Sequence, residues 1–546
     1  MKKTVTLFSL LTFILVKTEF TNAQCSSATA FENIDINDVR ARINLVDMWW
    51  DLNSSAKYEV PKNGGVHSLF AGALWIGGLD DMGALHVAAQ TYRQNGNDFY
   101  PGPLDNNCET TNQTCSDFDY IWKINKSTID SFIQLFNGHN PGDGFQVSNS
   151  QIPQIILNWP SKNNPNSTIV GNRNLAPFFD YDSNGDYDPT HGDYPIVKGD
   201  QALWMVFNDK GNTHTETGGN TFGIEIHLMV YAFQSADVLN TTTFYEYTII
   251  NKCQVNYNKV YLGIWTDPDL GCYVDDYIGC DSTRDMGILY NADTLDQNCP
   301  VGYGVNPPML AIKVLEVSAD SFSAPHKMTN FMYYNNDFTV NGNPENESHY
   351  YNYLQSKWKD ASHLTRGGNG FGGTIETNFA FPSNPSDTAG WSECSLNNFG
   401  SDKRMIISSG PMDLNAGSML RTTYAAIWTR PDLEYPCPSF DSINFQATYV
   451  QAIFDNYILN STFNNSFSTE KIKLYPNPAT NNLIVEGKFS SQLNFSLLNV
   501  LGQEIKTPFA KTDSNIKLNV SALVPGFYSI VIHDGNKLFT GKFIKE

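Results

Sequence analysis

Ala202-Leu-Trp-Met-Val-Phe-Asn208, Phe222-Gly-Ile-Glu-Ile-His-Leu-Met-Val-Tyr-Ala-Phe233, Thr242-Thr-Phe-Tyr-Glu-Tyr-Thr-Ile-Ile-Asn251 and Lys259-Val-Tyr-Leu-Gly-Ile-Trp-Thr266 follow one another along the chain. Each run is rich in β-branched and aromatic residues, and Asn, Asp, Gly and Ser punctuate the gaps between them. That pattern predicts an antiparallel set of strands. Working outward, Leu69 to Ile76 reads as a buried strand ending in a Gly77-Gly78 turn, with Ala84 to Arg93 as its partner. Met405 to Thr429 reads as a hairpin bending at Asn415-Ala416-Gly417. Helices are few. Thr128 to Phe136 places Ile129, Phe132, Ile133 and Phe136 on one face, and Phe445 to Leu459 reads as a closing helix.

The C-terminal stretch repeats the β pattern on a smaller scale. Leu483-Ile-Val485, Leu493 to Leu498, Ile516 to Val520, Tyr528 to Ile532 and Leu538 to Phe543 are short apolar runs. Turn signals at Leu501-Gly502, Pro525-Gly526 and Asp534-Gly535-Asn536 lie between them, which predicts a small Ig-like antiparallel β-sandwich. The expected fold class is therefore mainly β: a β-sandwich-rich central region with a few short helices, then this small unit. Tyr475-Pro476-Asn477-Pro478 opens the unit, Gly526-Phe527-Tyr528 lies within it and Lys542 sits near its end. In this order the motifs closely resemble the C-terminal type A sorting domain of the type IX secretion system of Bacteroidetes. The resemblance implies passage across the inner membrane and through the outer membrane to the cell surface or medium, with the secretion machinery as partner. Farther upstream, Met48-Trp49-Trp50-Asp51, Ala73-Leu-Trp-Ile-Gly-Gly78 and Trp265-Thr-Asp-Pro-Asp-Leu-Gly271 resemble an uncharacterised family of surface proteins that carry the same tail. That resemblance implies a shared architecture and brings no activity with it.

The N-terminus agrees with export. Met1-Lys2-Lys3 is a basic n-region and Val5 to Val16 an apolar stretch of signal-peptide length, so residues 1–24 are expected to be a signal peptide. Cys25 lacks the preceding residues that lipidation would need. No later stretch is apolar for long enough to span a bilayer. Residues 25–465 are expected to be the β-rich extracellular region, with a possible division near 170–200, and residues 466–546 the sorting unit. Lys plus Arg number 35 against 56 Asp plus Glu, a net charge of −21. Such acidity opposes nucleic-acid binding and favours multivalent cations. Nine cysteines suit an oxidising compartment. Cys108 and Cys115 flank a polar loop and are expected to close it, and Cys272, Cys280 and Cys299 offer a second pair. The odd count leaves at least one thiol unpaired, and no Cys-x-x-Cys spacing marks a zinc or redox site.

The most chemical motif is Asp180-Tyr-Asp182-Ser-Asn184-Gly-Asp186-Tyr-Asp188. Oxygen ligands at alternate positions around a turn-forming glycine suit Ca²⁺. His191 stands where an EF-hand loop needs a bidentate acid. A free-standing calcium loop, with Asp193 as a further ligand, therefore fits better than helix-loop-helix; the bland reading is a solvated Asp/Asn turn. A second, weaker metal candidate runs through Asp267, Asp269, Asp275, Asp276 and Asp281, and the same cluster would supply the pair of acids a hydrolase needs, with Asp275 and Asp276 the first to test. His214 with Glu216, and Glu225 with His227, are spaced to share a strand face, but solvent-facing strand polars plus a loop are the simpler account. No nucleophile elbow, phosphate-binding loop or dinucleotide fingerprint is present, and Gly367 to Gly373 reads as a surface loop. Three functions remain open: a calcium-stabilised noncatalytic protein binding glycans or surface proteins, a secreted polysaccharide hydrolase, or a structural part of a surface layer or gliding apparatus.

Overall fold

The computed structural model describes residues 25–546 apart from 94–95, 142, 298, 320–323, 325–326, 431–434, 456–467, 488, 490–492, 500–504, 506, 513–514 and 535–536. The expected signal segment, the turns at Leu501-Gly502 and Gly535-Asn536 and the end of the expected closing helix lie outside them.

Two antiparallel sheets pack face to face over residues 71–429, after a four-stranded run of Phe31–Ile34, Arg40–Asn44, Tyr58–Glu59 and His67–Leu69. The larger runs in the order Asp276–Asp281, Met286–Asn291, Met309–Ser318, Met419–Thr429, Thr242–Asn251, Ile224–Ala232, Gln201–Asn208 and Tyr100–Pro101, with Trp122–Asn125 also on Gln201–Asn208. The second orders Asn330–Asn335, Lys403–Leu414, Tyr257–Asp267, Ala71–Asp80 and Leu85–Ala88. Every residue of Gln201–Asn208 is buried, because both faces of the larger sheet are covered. Leu203, Met205 and Phe207 meet the second sheet, in a core shared with Trp75, Ile264 and Ile406. Ala202, Trp204 and Val206 point the other way, into a core with Ile129, Phe132, Trp159, Ile443 and Val450. The period of two thus serves two cores. The helix expected at Thr128 to Phe136 spans Lys126–Ile133 and tightens into a 3-10 turn at Gln134–Phe136. The closing helix begins earlier than expected, at Asp441–Ile453.

Three local expectations are corrected. Lys403–Leu414 and Met419–Thr429 are not a hairpin: the first pairs with Tyr257–Asp267 and Asn330–Asn335, the second with Thr242–Asn251 and Met309–Ser318. The bend at Asn415 to Ser418 carries the chain between sheets. The link from Thr242–Asn251 to Tyr257–Asp267 crosses beside it, and by the same route Tyr257–Asp267 leaves the expected four-strand set. Buried Asn251 joins the two crossings, donating to the carbonyls of Val255 at 2.7 Å and Leu414 at 3.1 Å. Gly77 and Gly78 form no turn but lie inside Ala71–Asp80. A Cβ on Gly77 would sit 2.6 Å from Tyr351 and one on Gly78 2.8 Å from Val260, so close packing selects glycine there. Nor do Cys108 and Cys115 pair. The residues between them wind into the Asn112–Asp117 helix, N-capped by Thr111, and the bonds are Cys25–Cys115, Cys108–Cys253, Cys272–Cys299 and Cys394–Cys437. Cys280 is the buried free thiol that an odd count requires.

The C-terminal unit is a separate small sandwich. One sheet orders Ser468–Lys471, Lys537–Lys545, Gly526–Asp534 and Asn494–Asn499; the other orders Lys473–Tyr475, Asn482–Glu486, Asn515–Asn519 and Phe509–Lys511. Leu483, Val485, Leu497, Ile516, Leu518, Ile530 and Phe543 fill its own core.

Candidate functional site

The acidic segment after Trp265 opens into a cleft at one end of the second sheet. Asp267 is the last residue of its strand, held where Phe70 N–H donates to its carbonyl at 2.8 Å. The neighbouring strand starts at Lys403, which places Asp402 and Arg404 alongside. Trp50, Phe70, Tyr92 and Tyr273 supply aromatic walls to a cavity of about 280 Å³, with Asp267, Asp269, Asp402, Arg404, Ser54 and Asn336 completing the lining. Tyr92 donates to Asp267 Oδ2 at 2.6 Å and receives a hydrogen bond from Arg404 Nε at 2.9 Å. Arg404 Nη2 reaches Asp267 Oδ2 at 3.3 Å, and Nη1 pairs with Asp402. All three sides of the guanidinium are thus used. Asp267 Oδ1 is buried with no hydrogen-bond partner among the described residues. Burial raises the carboxyls of both Asp267 and Asp269 well above the ordinary range.

The remaining residues of this cluster divide. Asp275 approaches Asp296 and Cys272, but the Cys272 sulfur is bonded to Cys299 and is no thiolate. Burial pushes Asp275 up to about 6. Asp276 faces inward and accepts from Leu270 N–H at 2.9 Å. Asp281 closes a turn with Arg284 at 2.6 Å. None of these three lines the cleft. Asp402, Arg404 and Tyr92 carry no sequence signal that links them to Asp267; only strand pairing brings them together.

The Asp180 loop runs between the two-residue strand Phe178–Phe179 and a 3-10 turn at Pro189–His191, not between helices. Oxygens of Asp180, Asp182 and Asp193 come within 4.8 Å of one another. Desolvation, with Asp180 and Asp182 adding repulsion, pushes Asp193 up to about 7. The other motif positions serve the backbone and the loop's neighbours. Asn184 accepts from Asp186 N–H at 2.7 Å, Asp186 pairs with Lys162 at 3.0 Å, and Asp188 caps the 3-10 turn and meets His191 at 2.6 Å.

The two His/Glu pairs are not solvent-facing strand polars of the expected kind. His214 is fully enclosed, with ring nitrogens 2.7 Å from the carbonyls of Val87 and Asp209. Glu216 accepts from Thr91 and from Tyr350. Glu225 bonds His227 at 2.9 Å and also accepts from Leu104 N–H. These contacts are structural.

In the C-terminal unit, the Asn477 side chain ties the Tyr475-Pro476-Asn477-Pro478 segment to the last strand. It donates to the Lys542 carbonyl at 3.0 Å and accepts from Ile544 N–H at 2.9 Å. Tyr528, two residues after Gly526, stacks on Phe543 and donates to the Val524 carbonyl. Asn477 and Tyr528 therefore both meet the last strand, Lys537–Lys545, which lies between Ser468–Lys471 and Gly526–Asp534. Residues 473–546 match the secretion system C-terminal sorting domain. The protein is cargo of the type IX secretion system, exported through the outer membrane to the cell surface. Among the described residues no helix is long and apolar enough to cross a membrane. No curated protein matches the chain. Among solved structures, one titled a polysaccharide lyase matches at 8% identity and a TM-score of 0.18, over 59% of this chain and 34% of that one. The chain thus spans about a third of the length of the structure it matches, and the match carries no functional weight.

Proposed function

We propose that residues 25–465 are a noncatalytic saccharide-binding protein of the cell surface, delivered there by residues 466–546, with Ca²⁺ at Asp180, Asp182 and Asp193 stabilising the fold. The observation that carries this reading is the cleft around Asp267. Aromatic faces stack on the C–H faces of sugar rings, while carboxylates, Arg404 and Asn336 meet hydroxyl groups. Its volume lies just below the usual range for small-molecule sites, roughly 300–1,000 Å³, which favours a saccharide end or short branch. Tyr273, 45% exposed at the rim, is free to stack without supporting the core.

The test is binding of a panel of bacterial and host oligosaccharides to the exported full chain. A ligand should bind, Tyr273→Ala should weaken it by about tenfold, and the bound saccharide should be recovered at its original length. Absence of any saccharide ligand, or undiminished binding by Tyr273→Ala, rejects the reading. A hydrolytic reading has one observation in its favour: the carboxyls of Asp267 and Asp269, both raised by desolvation, lie beside Asp402 in a cleft. Release of new reducing ends, lost in Asp267→Asn, would put hydrolysis in place of binding.

A further inference from the structure

We infer that the cleft holds a hard divalent cation, Ca²⁺ by its chemistry, between Asp267, Asp269 and Asp402, and that ligand hydroxyls complete its coordination. The second part rests on the saccharide reading above; the cation site stands without it.

Three observations converge. One oxygen from each of these carboxylates lies within 4.8 Å of the other two, close enough for all three to reach one ion at roughly 2.3–2.6 Å. Asp267 is only 2% exposed, lines the cleft and keeps Oδ1 without a hydrogen-bond partner among the described residues. A buried carboxylate oxygen left bare costs free energy that a cation would recover. The charge count points the same way. Three carboxylates face Arg404 alone within the lining, so the cleft keeps two negative charges when all are ionised. Arg404 brings a single positive charge, which its bonds from Nε, Nη1 and Nη2 share among Tyr92, Asp402 and Asp267. Neither imidazole nor thiolate lines the cleft, which selects an oxygen-seeking ion over zinc or copper. Ca²⁺ takes about six to eight oxygens. Three carboxylates in an open cleft leave positions for water or for paired sugar hydroxyls, while Trp50, Tyr92 and Tyr273 flank the ligand.

The test uses the full-length exported protein carrying Asp182→Asn, which silences the Asp180 loop, titrated with Tb³⁺ and with Ca²⁺ alone. One ion should bind per chain, with tryptophan-sensitised Tb³⁺ emission that Ca²⁺ displaces. Adding Asp269→Asn should weaken binding by roughly tenfold or more with an unchanged circular dichroism spectrum. Asp402→Asn, at a partly exposed position, should do the same and serves if Asp269→Asn does not fold. Cation affinity unaltered by either change overturns the site. Saccharide binding is then compared with and without EDTA. Loss in EDTA supports coordination of ligand by the ion, whereas saccharide binding indifferent to EDTA overturns it and leaves the binding function standing. Asp269-dependent cation binding without any saccharide ligand supports the cation site and rejects only the saccharide reading.

Discussion

His214 and Glu216 show how much charge the interior of this protein manages. Both His214 nitrogens face carbonyl oxygens at 2.7 Å, those of Val87 and Asp209. The carboxylates of Asp98 at 3.8 Å and Asp209 at 3.7 Å flank the ring. Each of those is itself fixed by backbone N–H donors, from Ala89, Glu216 and Thr217 for Asp98 and from Phe222, Gly223 and Ile224 for Asp209. Glu216 is the second enclosed group here. Its Oε1 accepts two hydroxyls, while Oε2 has no hydrogen-bond partner among the described residues. Desolvation, reinforced by Asp98, pushes it from the usual 4.5 to about 7. A carboxyl whose folded value lies above its unfolded value favours folding while protonated. Stability is therefore lost as pH rises from about 4.5 to about 7, by roughly 3 kcal/mol in all. Glu216→Gln keeps the acceptor for Thr91 and Tyr350 and cannot ionise. Urea unfolding at about pH 5 and about pH 8 should show the variant losing less stability than the parent across that interval. Equal losses in the two proteins would show that Glu216 does not titrate in this range.

At the level of elements, strands were legible in the sequence and their partners were not. Gln201–Asn208 and Ile224–Ala232 stand out because a sheet buried on both faces needs apolar residues at every position. That same continuity hides which core each residue enters. Two similar strands joined by Asn415-Ala416-Gly417 look like a hairpin whether the chain turns back within a sheet or crosses to the facing one, and here it crosses. Gly77-Gly78 carries the composition of a turn, but Tyr351 and Val260, the side chains that exclude a Cβ, lie far along the chain. The candidate site divides in the same way. Asp267 and Asp269 were legible as part of an acidic run, whereas Asp402, Arg404 and Tyr92 join them only through tertiary packing. The Asp180 loop was legible as a motif, and the fold distinguishes its members. Asp180 and Asp182 converge on Asp193, while Asp186 is taken by Lys162 and Asn163. Ca²⁺ at about a hundredfold over its Kd should therefore stabilise the loop's site by roughly 3 kcal/mol. Differential scanning calorimetry should show this as a rise in Tm that Asp182→Asn diminishes and Asp186→Asn retains. An equal Ca²⁺ response in parent and Asp182→Asn would exclude this loop.

For the whole molecule, separate cores divide the labour. Among the described residues no strand of 468–545 pairs with a strand of the body, and the small sandwich fills its interior from its own side chains. Where the two meet, Lys542 lies over the Phe445 ring and donates to Gln446 of the closing helix, and Ile472 and Gly541 face Asp237 and Val238 across a cavity of about 480 Å³. An exposed cation–π contact of this kind contributes about 0.5–1 kcal/mol. The body itself rests on two cores and four disulfide bonds. Address and cargo are therefore expected to separate on truncation. Deleting Lys471 to Glu546 should leave a body that folds, forms its disulfides and resists protease as the parent does. With Asn477, Tyr528 and Lys542 gone, the secretion machinery should no longer recognise it, and cell fractionation should find it in the periplasm instead of on the surface. Fusing residues 466–546 to an unrelated exported domain should carry that domain outward. Surface delivery of the truncated chain, or periplasmic retention of the fusion, would mean that the body takes part in recognition and that the small sandwich is not a sufficient address.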